Sequence, residues 1–406
     1  MNLQISVNLP RRRERRGAEH AERVQTCHPS GDSSYFLSAS ASSALKEFVS
    51  AVSRTKHLLL LLTLIALGLP ARADKMAQRD DVKAFIGEMQ ARHGLDADVL
   101  TGLFSRTQPI AAVIKAIKPP ENPAVRSWRA YRHRFVEPKR IAAGRRFMRL
   151  HAAELASAEK RFGVPAEIIA AIIGIETLYG KQLGRFGTFA ALSTLAFDYP
   201  PRAELFRREL EELLLLAREE DRSPLSYTGS YAGALGLPQF LPSSLRRFAV
   251  DFDGDGRIDL AANPPDAIGS VANFLAGHGW ERDAPIAVTV AVVGGGVQAL
   301  IDEGIMPRRT PRQMEAADVK LAKVMPPVAP ETVSLADGAD DTAIDTVCEN
   351  TDLSERPAAL VDLVTPGGAT EYRLGYRNFY VITRYNRSSF YAAAVMDLAA
   401  ALRDSK

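Results

Sequence analysis

Glu176 closes an apolar run, Ile172-Ile173-Gly174-Ile175-Glu176-Thr177-Leu178-Tyr179-Gly180, and the eight residues Ile168 to Ile175 carry no charge and no hydrogen-bonding side chain. A carboxyl held there loses hydration, so its protonated form is favoured and its pKa rises. An acid still protonated near neutral pH is what cleavage of a glycosidic bond requires. A helix-end glutamate reaching into water would read the same way from this stretch alone. The nearest upstream acid, Glu167, lies nine residues back. At 100° per residue that is half a turn off, so Glu167 faces away and suits the helix dipole instead.

Three further constellations accompany this acid. Tyr227 to Ser244 reads YTGSYAGALGLPQFLPSS, where small residues let a ligand approach the backbone while Ser230 and Gln239 offer a hydroxyl and an amide to hydroxyl-rich ligands. Asp251-Phe252-Asp253-Gly254-Asp255-Gly256-Arg257-Ile258-Asp259 carries the acids and glycine of an EF-hand loop, and its carboxylates would repel one another without a hard cation such as Ca²⁺. Ala262 stands where the bidentate glutamate belongs, and Asp266 could close the shell from a longer loop. Gly375 to Asn386, GYRNFYVITRYN, alternates aromatic rings with amide and cationic groups, a mixture suited to sugars or to an aromatic core.

The elements that must position these groups are mainly helical as far as Glu281. Amphipathic spacing predicts helices over 81–92, 96–105 and 110–117, a longer one over about 138–162, and a surface helix over 202–221. Pro165 suits the first turn of the Glu176 helix, and Gly180 its C-terminal stop. Ile286–Val293 is β-branched and strand-like, and Gly294-Gly295-Gly296 reads as a turn because no Gly-Lys-Ser/Thr follows. Weak strand signals at 331–335 and 360–364 lie in a Pro-, Asp- and Thr-rich stretch, and a helix over Ser388–Leu402 closes the chain.

The chain has 406 residues, 46% apolar and 24% charged, an ordinary globular balance with ample core. Its net charge of +3 belongs to the leader: residues 1–73 hold 10 of the 51 Lys/Arg and 5 of the 48 Asp/Glu, leaving a balance near −2. Nothing there argues for nucleic acid. Arg54 and Lys56, the apolar run Leu58–Leu69 and Ala71-Arg72-Ala73 form the three parts of a secretory signal, with cleavage after Ala73. An uncleaved run would serve as a tether instead. Residues 1–55 lack periodicity and suit a start codon called too far upstream. No cysteine follows the apolar run, so lipidation there is not expected, and Cys348 is alone in the exported chain.

Together, Glu176-Thr177-Leu178-Tyr179-Gly180, the Ser230–Gln239 segment, the acidic loop, Ser270-Val271-Ala272-Asn273 and Tyr385-Asn386 resemble the lytic murein transglycosylase B family over about residues 80–404. The resemblance implies an α+β, mainly helical fold. A lysozyme-like core (138–283, completed by 371–406) would carry an N-terminal helical subdomain (74–137) and a small inserted β-subdomain (284–370). It implies Glu176 as the single catalytic acid and base. Ser230, Gln239, Tyr385 and Asn386 would contact substrate, and Tyr131 and Arg202 match peptidoglycan-contacting positions less closely. Asp251, Asp253, Asp255, the Arg257 carbonyl and Asp266 would hold a structural Ca²⁺, with no organic cofactor. The implied substrate is the peptidoglycan glycan strand, in the periplasm of a Gram-negative cell beside cell-wall synthases or other murein hydrolases. A hydrolytic muramidase using Asp198 to activate water, and a wall-binding scaffold without turnover, are the rival readings.

Overall fold

The structure, a computed structural model, describes residues 76–119, 126–316, 319–322 and 353–403. The leader, the signal and its cleavage site, Cys27, Cys348 and the strand signal at 331–335 lie outside these residues. The helices are α1 (Asp80–His93), α2 (Ala97–Ser105), α3 (Ala111–Ile117), α4 (Trp128–Phe135), α5 (Pro138–Leu150), α6 (Ala152–Phe162), α7 (Ala166–Thr177), α8 (Thr188–Asp198), α9 (Ala203–Glu219), α10 (Pro242–Phe248), α11 (Pro264–Gly277), α12 (Val297–Asp302), α13 (Pro311–Glu315), α14 (Arg377–Tyr385) and α15 (Ser389–Arg403). A two-stranded ribbon joins β1 (Phe186–Gly187) to β2 (Thr228–Gly229). A second, antiparallel sheet has the order β4 (Lys320–Ala322), β3 (Ala287–Val293), β6 (Glu371–Gly375), β5 (Ala359–Leu363).

Helix α7 is apolar around its whole circumference, so it can only be stable when enclosed. Ile168 to Ile175 are all buried, and α5, α6, α11 and α15 pack around them. Pro165 sits one residue before the helix, at the N-cap, where its missing N–H costs nothing. The predicted helix over 138–162 is two helices. His151 leaves the helical conformation (φ −119°, ψ 33°), and its ring packs on Phe147 at 4.7 Å. The break lets α5 and α6 each turn a face toward α7.

The N-terminal helical subdomain packs directly onto the main core. Phe85 and Phe104 interlock with Phe189 and Phe197 of α8, and the buried side chains of α1, α2 and α7 belong to one continuous core. Helix α4 docks at the other end of the chain: the Trp128 N–H donates to the Val364 carbonyl (2.8 Å), and Arg132 pairs with Asp397 of α15. A second core lies under the larger sheet, built from Val290, Leu300, Met314, Leu360, Leu374 and Tyr376. In that sheet the strand Glu371–Gly375 pairs with both β3 and β5.

Candidate active site

Glu176 occupies the last turn of α7, and the backbone beyond it is strained. Leu178 (φ 51°) and Tyr179 (φ 56°) take left-handed conformations before Gly180 (φ 86°). A left-handed conformation at two non-glycine residues costs on the order of 1–3 kcal/mol each and persists only where the surroundings impose it. Helix α7 therefore stops at Leu178 rather than at Gly180. Two side chains hold the stop. The Thr177 hydroxyl donates toward the carbonyls of Ile173 (3.2 Å) and Leu237 (3.0 Å) and accepts from the Gly180 N–H. The Tyr179 ring folds back between α5 and α7, where a Cβ on Gly144 or Gly174 would lie 2.2 or 2.4 Å from its oxygen. Only glycine admits the ring at these positions.

Glu176 is half-buried, with its carboxyl drawn inward toward Tyr391. Loss of water pushes its pKa up from 4.5 to about 7, against the smaller opposing effect of a hydrogen bond from Tyr391. The Tyr391 hydroxyl donates to Glu176 Oε1 at 2.7 Å. The Tyr391 ring stacks on Tyr385 (6.3 Å, 13° between planes), and the Tyr385 hydroxyl donates to the Pro238 carbonyl at 2.7 Å. Burial first, then the charge on Glu176, raises the phenol pKa of Tyr131, Tyr385 and Tyr391 alike. The carboxyl thus faces neutral phenols.

The sequence reading missed Tyr391. It lies inside the predicted closing helix among Phe390, Ala392, Ala393 and Ala394, a run that reads as core. The signal available was its hydroxyl, which a buried tyrosine must satisfy somewhere.

The Ser230 to Gln239 segment meets the ends of α7 and α14 through the Leu237 and Pro238 carbonyls, which accept from Thr177 and Tyr385. Ser230 Oγ accepts from the Ala234 N–H (3.0 Å), and the Gln239 amide donates to the carbonyls of Leu183 (3.2 Å) and Gly236 (3.0 Å). Both side chains therefore hold the turn in shape, and Gln239 itself sits at φ 52°. Asn386 Oδ1 is buried without a hydrogen-bond partner among the described residues. Tyr131 packs on Trp128 and Phe135. Arg202 is half-buried with its guanidinium 5.5 Å from the centre of the Phe206 ring.

Asp198, the residue of the hydrolytic rival, is spoken for: its carboxylate pairs with Arg79 at 2.5 Å. Glu167 pairs with Arg403, away from Glu176 as helix geometry required.

In the acidic loop, Asp251, Asp253 and Asp255 bring carboxylate oxygens within 4.8 Å of one another. Gly254 (φ 77°) and Gly256 (φ 87°) supply its sharp turns, and their N–H groups donate to Asp251. Three clustered carboxylates on a tight loop fit a hard, oxygen-seeking cation. Asp266 stands apart from the three. It is buried, and its two oxygens accept the N–H groups of Phe252 and Asp259, both at 2.8 Å, so it ties the ends of the loop together. Arg257 contributes its N–H to Asp255.

A family model described as Transglycosylase SLT domain matches residues 77–400. The membrane-bound lytic murein transglycosylase B of Escherichia coli is 36% identical over 335 residues, covering 80% of this chain and 83% of that protein. Two solved structures are similar throughout. The Escherichia coli lytic transglycosylase Slt35 in complex with calcium is 35% identical with a TM-score of 0.63, covering 80% of this chain and 92% of that one. SltB3 from Pseudomonas aeruginosa in complex with NAG-anhNAM-pentapeptide is 28% identical with a TM-score of 0.65, covering 82% and 80%.

Proposed function

The chain belongs to the lytic murein transglycosylase B family, enzymes that cleave the glycosidic bonds of peptidoglycan, and from that premise we propose that Glu176 alone serves as acid and then as base. The observation that carries this reading is the raised pKa of about 7 on a carboxyl whose hydrogen-bond partner is a donating phenol. Since Tyr391 donates to Oε1, the transferable proton resides on Oε2.

Glu176 gives that proton to the oxygen of the β-1,4 bond between N-acetylmuramic acid and N-acetylglucosamine, and the C1–oxygen bond breaks. The positive centre at C1 is relieved by the substrate's own 2-acetamido group. The carboxylate then takes the proton of the muramoyl C6 hydroxyl as its oxygen bonds to C1, giving a 1,6-anhydromuramoyl end. One group in two roles satisfies the requirement that the base of the second step be the conjugate of the first step's acid. Three arguments favour this course over hydrolysis: the ion pair that occupies Asp198, the phenolic surroundings of Glu176, and the anhydromuramoyl ligand of the relative SltB3. Ser230, Gln239, Asn386, Tyr385, Tyr131 and Arg202 would line the strand's path.

Asp251, Asp253 and Asp255 would hold Ca²⁺ from the loop, neutralising their mutual repulsion and fixing the entry to α11, with Asp266 bracing the loop from behind. The calcium complex of Slt35 supports that choice of ion. The membrane-bound relative suggests the Gram-negative cell envelope, and export through the apolar run at 58–69 would deliver the enzyme to the periplasm. No described helix is long and apolar enough to cross a membrane.

Digestion of purified murein followed by mass spectrometry tests the reading. Fragments one water lighter than hydrolytic products, without a free reducing end, are expected. A free reducing end would convert the assignment to a muramidase.

A further inference from the structure

Strand β6 lies inside the larger sheet, with Arg373 opposite Thr289 of β3 on one side and Val361 of β5 on the other, so its backbone is held from both flanks. Successive side chains of a strand point to opposite faces. Tyr372 and Leu374 join the core under the sheet. Glu371 and Arg373 share the other face with Leu363 and Val361, which belong to the main core.

Arg373 is only 7% exposed there, and a buried charge is costly unless it is paired. Its guanidinium meets Glu371 on its own strand at 2.6 Å and Asp397 Oδ1 of α15 at 2.9 Å, 5.5 Å from the centre of the Trp128 ring. Asp397 Oδ2 is held from a third element, by Arg132 Nε of α4 at 2.5 Å. The Trp128 indole N–H donates to Glu371 Oε2 at 3.0 Å. Two cations and two carboxylates thus close a neutral cluster between α4, β6 and α15. Attraction between buried ions is largely offset by their lost hydration, so the distinctive effect of the cluster is geometric: arginines from two elements grip the two oxygens of one carboxylate.

The gripped helix is the one that carries Tyr391. Phe390 and Asp397 are seven residues apart, about 20° short of two full turns, so both face α4. Phe390 packs edge-on against Trp128 (5.5 Å) and Tyr131 (5.6 Å). Tyr391 follows Phe390 directly, and its hydroxyl reaches Glu176 Oε1 over 2.7 Å. A rotation or slide of α15 against α4 would carry that hydroxyl with it.

We propose that Arg373, Asp397 and Arg132 are positioning residues that lock α15 in place, so that the larger sheet keeps the Tyr391 hydroxyl on Glu176 from outside the cleft. This rests on the reading of Glu176 as the acid and adds the elements that set its hydrogen bond. The proton transfers remain with Glu176.

The test is the titration of Glu176 followed by carboxyl-carbon NMR, which needs no turnover, together with the cleavage rate against pH. Loosening the Tyr391 contact removes a donor that favours the ionised carboxylate. Asp397→Asn and Arg373→Gln should therefore raise the midpoint by about half a unit to one unit, the range of a weakened hydrogen bond to a charged group, and move the alkaline limb of the rate profile up with it. Arg132→Gln alters a side chain that is 44% exposed, and should give a smaller shift of the same sign even where the buried variants do not fold. In a Tyr391→Phe background the same substitutions should leave the midpoint unmoved. A midpoint unmoved in Arg132→Gln and in every buried variant that folds would overturn the proposal. So would a shift that persists without the Tyr391 hydroxyl, because it would run through Tyr131 instead. The murein-cleaving reading fails separately, if the unaltered enzyme releases no fragments from murein.

Discussion

Glu176→Gln is expected to stabilise the protein above neutral pH and not below pH 4.5. Glutamine keeps the size of the side chain and an acceptor for the Tyr391 hydroxyl, and cannot ionise. In the folded protein the carboxyl titrates near 7 against 4.5 for the exposed group, a difference of about 2.5 units. At about 1.36 kcal/mol per unit, ionising Glu176 in place costs the fold about 3 kcal/mol. The sign follows from the raised pKa. The folded state binds the proton more tightly, so Glu176's contribution is fully present below about pH 4.5 and is lost as pH rises through 7. The variant lacks this loss. For a chain of this size the gap corresponds to about 5 °C in Tm. Thermal unfolding of both proteins from pH 4 to pH 8.5 should give curves that run together at the acid end and separate progressively up to pH 7. A constant offset across the whole range would refute the reasoning, because it would mean that the carboxyl ionises in the fold as it does in water.

Tyr391→Phe removes the donor that favours the ionised carboxylate. The pKa of Glu176 should rise further and the alkaline limb of the cleavage-rate profile should move to higher pH; an unmoved limb would remove Tyr391 from the site's electrostatics. Gly174→Ala would press a methyl group onto the Tyr179 ring, and a loss of about 1–3 kcal/mol is expected from urea unfolding. A loss under 0.5 kcal/mol would show that the ring does not pin the strained helix end. A chelator should lower Tm and added Ca²⁺ restore it, and Asp253→Asn should blunt both responses. No shift in the unaltered protein would leave the acidic loop a turn held by its own hydrogen bonds.

The acid and its setting were legible because one continuous segment creates them: Ile168 to Ile175 bury α7 whatever the rest of the chain does. The acidic loop was legible for the same local reason. Features made by distant residues were not. The spacing places Asp266 beside the acidic loop but does not show that its oxygens also accept the N–H groups of Phe252 and Asp259. The stop at Leu178 is imposed by Gly144, thirty-odd residues earlier in the chain, and by Leu237, so a local rule assigned it to Gly180. His151 interrupts an amphipathic pattern that continues on both sides, and the gain from splitting the helix lies wholly in packing. Likewise Tyr391, the partner of Glu176, sits 215 residues away on a helix that reads as core.

The central claim is that Glu176 retains its proton near neutral pH. Carboxyl-carbon NMR of protein labelled with ¹³C at glutamate, with the Glu176→Gln variant used to assign the resonance, reads that proton directly. A titration midpoint near 7 is the expected result. A midpoint near 4.5 would mean a carboxylate already charged before substrate arrives, and the acid step would have no donor.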